Sequence, residues 1–242
     1  MSSVKKKAFY LFLFLILPLS LTACTMAGKP SVGSELKGDL SSLPTKLLAL
    51  PVTVSINEIS AGGLIQEDPV WSKDGEAAMT LAVKNYFTAE TRSSLVDMPE
   101  LTEDESELIH EHVLLYDVVA GQAYAAANMP TLGWGHLSQD FRYTLGDGLR
   151  FLKQKTGADA ALIVVGTDNI SSGGRKTLAV MAALMGVGMP LGSSRVLVGV
   201  IDLEDGDILW FQNSFAQGNL DLRKQGDANI LFAKAMEGYG GK

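Results

Sequence analysis

Three histidines, one cysteine and a dense run of acids are the residues best equipped for chemistry in this 242-residue chain. His110 and His112 stand two apart. On a helix they point to nearly opposite sides and cannot share a metal ion as an i, i+4 pair does. Glu111 between them does not complete the zinc-protease pattern, which needs two more residues in the gap. The spacing predicts a solvent-facing His110 and a partly buried His112, with no metal. Asp97, Glu100, Glu103, Asp104, Glu105 and Glu107 are dense enough to attract Ca²⁺. They lack the fixed spacing and glycine of an EF-hand loop, so they predict a solvated helix start. Ser171-Ser172-Gly173-Gly174-Arg175 has the composition of an anion-binding nest. A turn leaving a strand is the simpler reading. Gly186-x-Gly188 follows a helix-like run and not a strand, so it fails the context for dinucleotide binding. No Gly-x-Ser-x-Gly elbow offers a serine nucleophile. No cofactor is expected.

Cys24 is the sole cysteine, so no intramolecular disulfide can form and the fold must stand on its core. It ends the run Leu21-Thr22-Ala23-Cys24. Ahead of it lie Lys5, Lys6 and Lys7 and an apolar stretch, Ala8 to Leu19, broken only by Pro18. The stretch is short for a membrane span and ends in small residues, which is the order of a signal peptide. The Leu-Thr-Ala-Cys run resembles the lipobox of bacterial lipoproteins. The resemblance implies cleavage between Ala23 and Cys24, a diacylglycerol-modified cysteine, and a third acyl chain such as palmitate on the new amino terminus. Thr25 follows the cysteine where an aspartate would retain a Gram-negative lipoprotein at the inner membrane. The resemblance therefore implies the outer membrane, periplasm-facing, or the outer face of the cytoplasmic membrane in a Gram-positive cell.

Loss of residues 1–23 removes three lysines and no acid, and takes the formal charge from −7 to −10. So acidic a surface disfavours nucleic acid and is not drawn to anionic lipid. Membrane contact must come from acyl chains or apolar surface.

The elements that position these residues follow from periodicity. Residues 24–46 are polar and rich in Gly, Ser and Pro, and read as a lipidated tether; about 20 flexible residues span roughly 25 Å. The remainder, 47–242, reads as one domain. Leu50 to Ile59 alternates as a half-buried strand. Ser72 is a plausible cap for a helix carrying Met79, Val83, Tyr86 and Phe87. Thr102 and Glu105 form a capping box for a long helix, Glu103 to Ala127, with a stripe of Leu108, His112, Leu115, Tyr116, Val119 and Ala123. Thr144 reads as the cap of a short helix ending at Gly157. Ala160 to Val165 is a strand buried on both faces. Arg195–Leu203 and Asp207–Phe215 form a hairpin about Asp205-Gly206. A last helix covers Asp227 to Glu237. Interleaved helices and strands predict an α/β or α+β fold: a mixed sheet with a late antiparallel hairpin, and helices packed around it.

The lipobox, tether, Trp71-Ser72-led helix, Thr156-Gly157-Ala158-Asp159 before a buried strand, and Ile201-Asp202-Leu203-Glu204-Asp205-Gly206-Asp207-Ile208-Leu209-Trp210 form one layout. It resembles the envelope lipoprotein group that contains the curli-secretion channel lipoprotein, the activators of penicillin-binding proteins and the amino-terminal domain of the Tol translocation protein. The resemblance is at the level of fold and implies a non-catalytic binding, assembly or secretion-associated subunit. Its partners would be the membrane, through lipidated Cys24, and an envelope protein or further copies of itself. The long acidic helix and the stretch from Pro130 to Tyr143 depart from that layout. Trp210 on its strand predicts core packing.

Thr177 to Ser194 carries no charge. Gly186, Gly188, Pro190 and Gly192 argue against a membrane span. It reads either as a core helix with a buried glycine loop or as an apolar surface meeting membrane or subunit, with Val180, Leu184, Met185, Met189 and Leu191 as its contact residues. The alternative function, a cell-envelope hydrolase acting on cell wall or lipid, rests on Asn128, His136, Asp140 and Arg142 converging.

Overall fold

The computed structural model describes residues 24–27, 31–32, 39–89, 92–128, 142–218 and 220–239. Among them, nine strands form one mixed sheet. They are β1 (Cys24–Ala27), β2 (Ser31–Val32), β3 (Lys46–Ala49), β4 (Thr53–Ile59), β5 (Ile65–Glu67), β6 (Ser94–Val96), β7 (Ala160–Ser171), β8 (Gly192–Asp202) and β9 (Ile208–Gln217). Five α-helices flank the sheet: α1 (Pro69–Ala89), α2 (Glu103–Asn128), α3 (Arg150–Thr156), α4 (Gly173–Leu184) and α5 (Gln225–Ala235). The expected α/β class, mixed sheet and late hairpin are all present.

The organising strand is β7. Its first residues pair in parallel with β3 and the rest with β4, while β8 runs antiparallel along its other side. Alternate side chains enter two cores. Ala160, Leu162 and Val164 join α1 and α5 on one face; Ala161, Ile163 and Val165 join α2 and α3 on the other. An apolar run with no polar face is what burial on both sides requires. β8 and β9 continue the sheet through the expected Asp205-Gly206 turn, where Gly206 has φ 80°. Trp210 is fully buried and meets Tyr239 edge-on at 5.1 Å, as core packing predicts.

Several expectations are corrected. The strand expected over Leu50 to Ile59 is present but begins only at Thr53. Pro51 has no amide to donate to a ladder, and the chain passes from β3 to β4 at this point. Ser72 does not cap α1. Asp68 does, accepting from the amides of Val70 at 2.9 Å and Trp71 at 3.1 Å, with Pro69 in the first helical position, where a missing amide is harmless. Ser72 is buried one turn later; its hydroxyl accepts from the Ile56 amide and donates to Glu67. Thr144 caps a turn, accepting from Gly146, and a 3-10 turn at Asp147–Leu149 precedes α3. The buried stripe of α2 is Ile109, Val113, Tyr116, Ala120 and Ala123 with His112, so Leu115 lies outside it and is exposed. α5 begins and ends two residues before its expected bounds.

The predicted capping box is present. The Thr102 hydroxyl accepts from the Glu105 amide at 3.2 Å, and Glu105 accepts from the Thr102 amide at 2.8 Å. Within the expected tether, Cys24–Ala27 and Ser31–Val32 lie as strands against β9. The signal segment, residues 1–23, lies outside the described residues.

Candidate interaction surface

α4 starts where β7 ends. Ser172 caps it, accepting from the Arg175 amide at 3.2 Å. The Ser-Ser-Gly-Gly-Arg stretch is thus a strand-to-helix junction, and a capping hydroxyl takes a helix amide that an anion would seek. The helix ends at Met185, and Gly186 in the left-handed region turns the chain back toward β8.

Only Ala179 and Ala182 of α4 are buried. These two small residues, one turn apart, let the helix rest on the body along a narrow line. The large side chains point away. Leu184 is 84% exposed, Met185 77% and Val180 63%; Leu178, Met181 and Val187 are exposed as well. Of the five expected contact residues, Val180, Leu184 and Met185 stand in the open, and Met189 and Leu191 are half-buried in the returning segment. The segment is therefore not a core helix. Its apolar residues form a surface of the kind soluble proteins rarely leave uncovered.

The expected chemical sets do not assemble here. His110 is exposed. His112 is buried, with its Nδ1 2.7 Å from the Leu108 carbonyl oxygen. Among the described residues, no three His, Cys, Asp or Glu side chains stand close enough to hold a metal ion, and no helix is long and apolar enough to cross a membrane. His136 and Asp140 lie outside the described residues, and so does the side chain of Asn128, at the end of α2. Arg142 opens the segment that leads into α3.

The sequence reading missed two features. The first is a cleft of about 700 Å³ lined by the C-terminal half of α1, the β3–β4 link and the β6 segment, among them Val83, Phe87, Leu95 and Met98 with the charged Lys84 and Asp97. No local pattern announces it, because three separate segments build it. The second is Asp168, buried in the middle of β7. Burial pushes its carboxyl up to about 6. The Leu222 amide at 2.9 Å and the Ser194 hydroxyl at 2.8 Å oppose that rise by donating to it. An acid inside a doubly buried strand was the available signal. Next to it, Asp221 binds Arg223 through both carboxylate oxygens, at 2.8 and 2.9 Å, and Arg223 stacks on Trp71. Asp168 thus pins the β9–α5 connection to the sheet.

No family model and no curated protein matches this sequence. Among solved structures, the PelC dodecamer from Paraburkholderia phytofirmans is similar over 90% of this chain and 99% of its own, with 12% identity and a TM-score of 0.37. A point-substituted PelC dodecamer from the same organism gives a TM-score of 0.35 at 12% identity, over 91% of this chain and 99% of its own. The likeness is one of overall layout, and a weak one.

Proposed function

We propose that this protein is a bacterial envelope lipoprotein: a non-catalytic binding or assembly subunit, cleaved between Ala23 and Cys24 and held on a membrane through a lipidated Cys24. The Leu21-Thr22-Ala23-Cys24 run behind its lysine-headed apolar leader carries this reading. One structural fact supports it. The uncovered α4 surface is the mark of a protein that meets something larger than a small molecule. Thr25 favours the outer membrane in a Gram-negative cell. In this reading the hydrolase set plays no part, and His112 is a structural side chain.

Mass spectrometry of the protein from its native envelope tests the proposal. The expected amino-terminal peptide starts at Cys24 and carries diacylglycerol and an amide-linked acyl chain. In cells, Cys24→Ala should block processing at that site. A mature chain beginning elsewhere, or an unmodified thiol, refutes the reading.

A further inference from the structure

The register of the sheet places Cys24 and α4 at one end of the molecule. Cys24 stands opposite Gln217, Gln217 opposite Ser193, and Ser193 opposite Asn169. α4 leaves the sheet two residues after Asn169 and its chain returns at Gly192, so the helix caps the end at which β1 begins. Cys24 is two ladder steps from Ser193, roughly 10 Å. The β4–β5 turn is at the same end, because Ile59 pairs with Ser171. It adds Leu64 and Ile65, both more than half exposed. A Cβ on Gly174 would stand 3.4 Å from Ala61, so this turn and the start of α4 adjoin.

Charge sorts the same way along the chain. No acid interrupts the sequence from Asn169 to Ile201. The acids of the β8–β9 turn, Asp202, Glu204, Asp205 and Asp207, lie at the other end of the sheet, where β7 begins. The acidic start of α2 is tied there too, through Lys155 of α3 to Glu105 at 2.6 Å. The α4 end is not free of acids. Glu58 and Glu67 lie there on β4 and β5, across β7 from Cys24. Asp168 is buried one residue before Asn169 with Asp221 beside it, and Asp117 is paired with Arg195 of β8.

We propose that the exposed apolar face of α4, with the neighbouring Leu64–Ile65 turn, docks into the lipid interface as a second membrane contact beside the acyl chains of Cys24. Only the role of Cys24 rests on the lipoprotein reading; the apolar face stands without it. A bilayer suits this surface better than a shaped protein groove. The side chains that project from it, Leu184, Met185, Met181 and Val180, are all exposed and aliphatic or thioether, and a helix lying in the interface needs only such a face.

The test uses residues 24–242 with Cys24→Ala, which retain every described element and lack both leader and acyl chains. The probe is phosphatidylcholine vesicles, read by flotation. An environment-sensitive dye is placed on Leu184→Cys, with Glu204→Cys as the control at the opposite end. Expected are measurable vesicle binding, a blue shift of the dye at position 184 but not at 204, and at least about tenfold weaker partition for Leu184→Asp with Met185→Asp. The melting temperature of that double variant should match the parent, since both residues are exposed. Docking is overturned by absent vesicle binding, by binding that survives the double substitution, or by a double substitution that dissolves an oligomer in lipid-free solution. In that last case a second copy covers the face. The two ideas fail separately: an unmodified Cys24 in native protein leaves vesicle docking standing, and an acylated Cys24 with an inert α4 leaves only the anchor.

Discussion

Asp168 shows what one buried carboxyl does to a fold. Its folded pKa of about 6 lies above the usual value of 3.8. Between those values the unfolded chain ionises while the folded protein keeps its proton, so stability falls as pH rises from 4 to 6 and is level beyond. The full effect is about 3 kcal/mol. Asp168→Asn cannot ionise and should lack this dependence. The difference in unfolding free energy between wild type and variant, measured by urea titration at pH 4 and pH 7, should change by about that amount in favour of the variant at pH 7. A constant difference would mean that the carboxyl titrates near its ordinary value. Gly199 is a second single-residue constraint. A Cβ there would lie 2.4 Å from the ring of Tyr116, which packs fully buried over that point of β8. Gly199→Ala should cost about 1–3 kcal/mol by calorimetry or denaturant, because the Tyr116 ring is buried on all sides and has little room to retreat.

At the scale of elements, α2 owes its start to local chemistry. Thr102→Ala removes one half of the capping box and should lower the unfolding free energy by about 1 kcal/mol, a loss a denaturation series would resolve. Lys155 donates to Glu105 and, with the Thr102 amide, holds that carboxyl below the usual carboxylate range. Such elements were legible in the sequence because their causes are local: Thr102 and Glu105 three residues apart, Asp205-Gly206 between two apolar runs, and six apolar residues without a polar break from Ala160. β5 and β6 were not legible. Each has three residues, and most of their side chains are exposed or half-buried, so no hydrophobic period marks them. Ser72 misled because its type suits a cap. Asp68 before Pro69 was the better signal, and the hydroxyl of Ser72 was claimed by Ile56 and Glu67 in space. α4 sat between two readings, since an apolar helix looks the same in sequence whether its apolar residues point inward or out. Only the position of Ala179 and Ala182 against the body decides it.

For the whole molecule, the two cores and the single sheet carry stability without any disulfide. Strands β3, β7, β8 and β9 give side chains to both, so damage to the middle of the sheet is felt on both faces. Trp210→Ala, on β9, should cost about 3–5 kcal/mol and broaden or abolish cooperative thermal unfolding. Exposed sites on α4 should be silent in the same assay. A melting scan of Trp210→Ala beside Leu184→Asp separates the parts of the chain that make the fold from the part offered to the outside.

The pairing of β1 with β9 would set the mechanics of the anchor proposed at Cys24. A rope of loose residues would let the body swing, and a pull on it would be absorbed as slack. A strand stitched along its neighbour passes tension lengthwise into the ladder, where the rungs resist together as in a lap joint. The body would then ride at a set height and tilt, bolted to its surface.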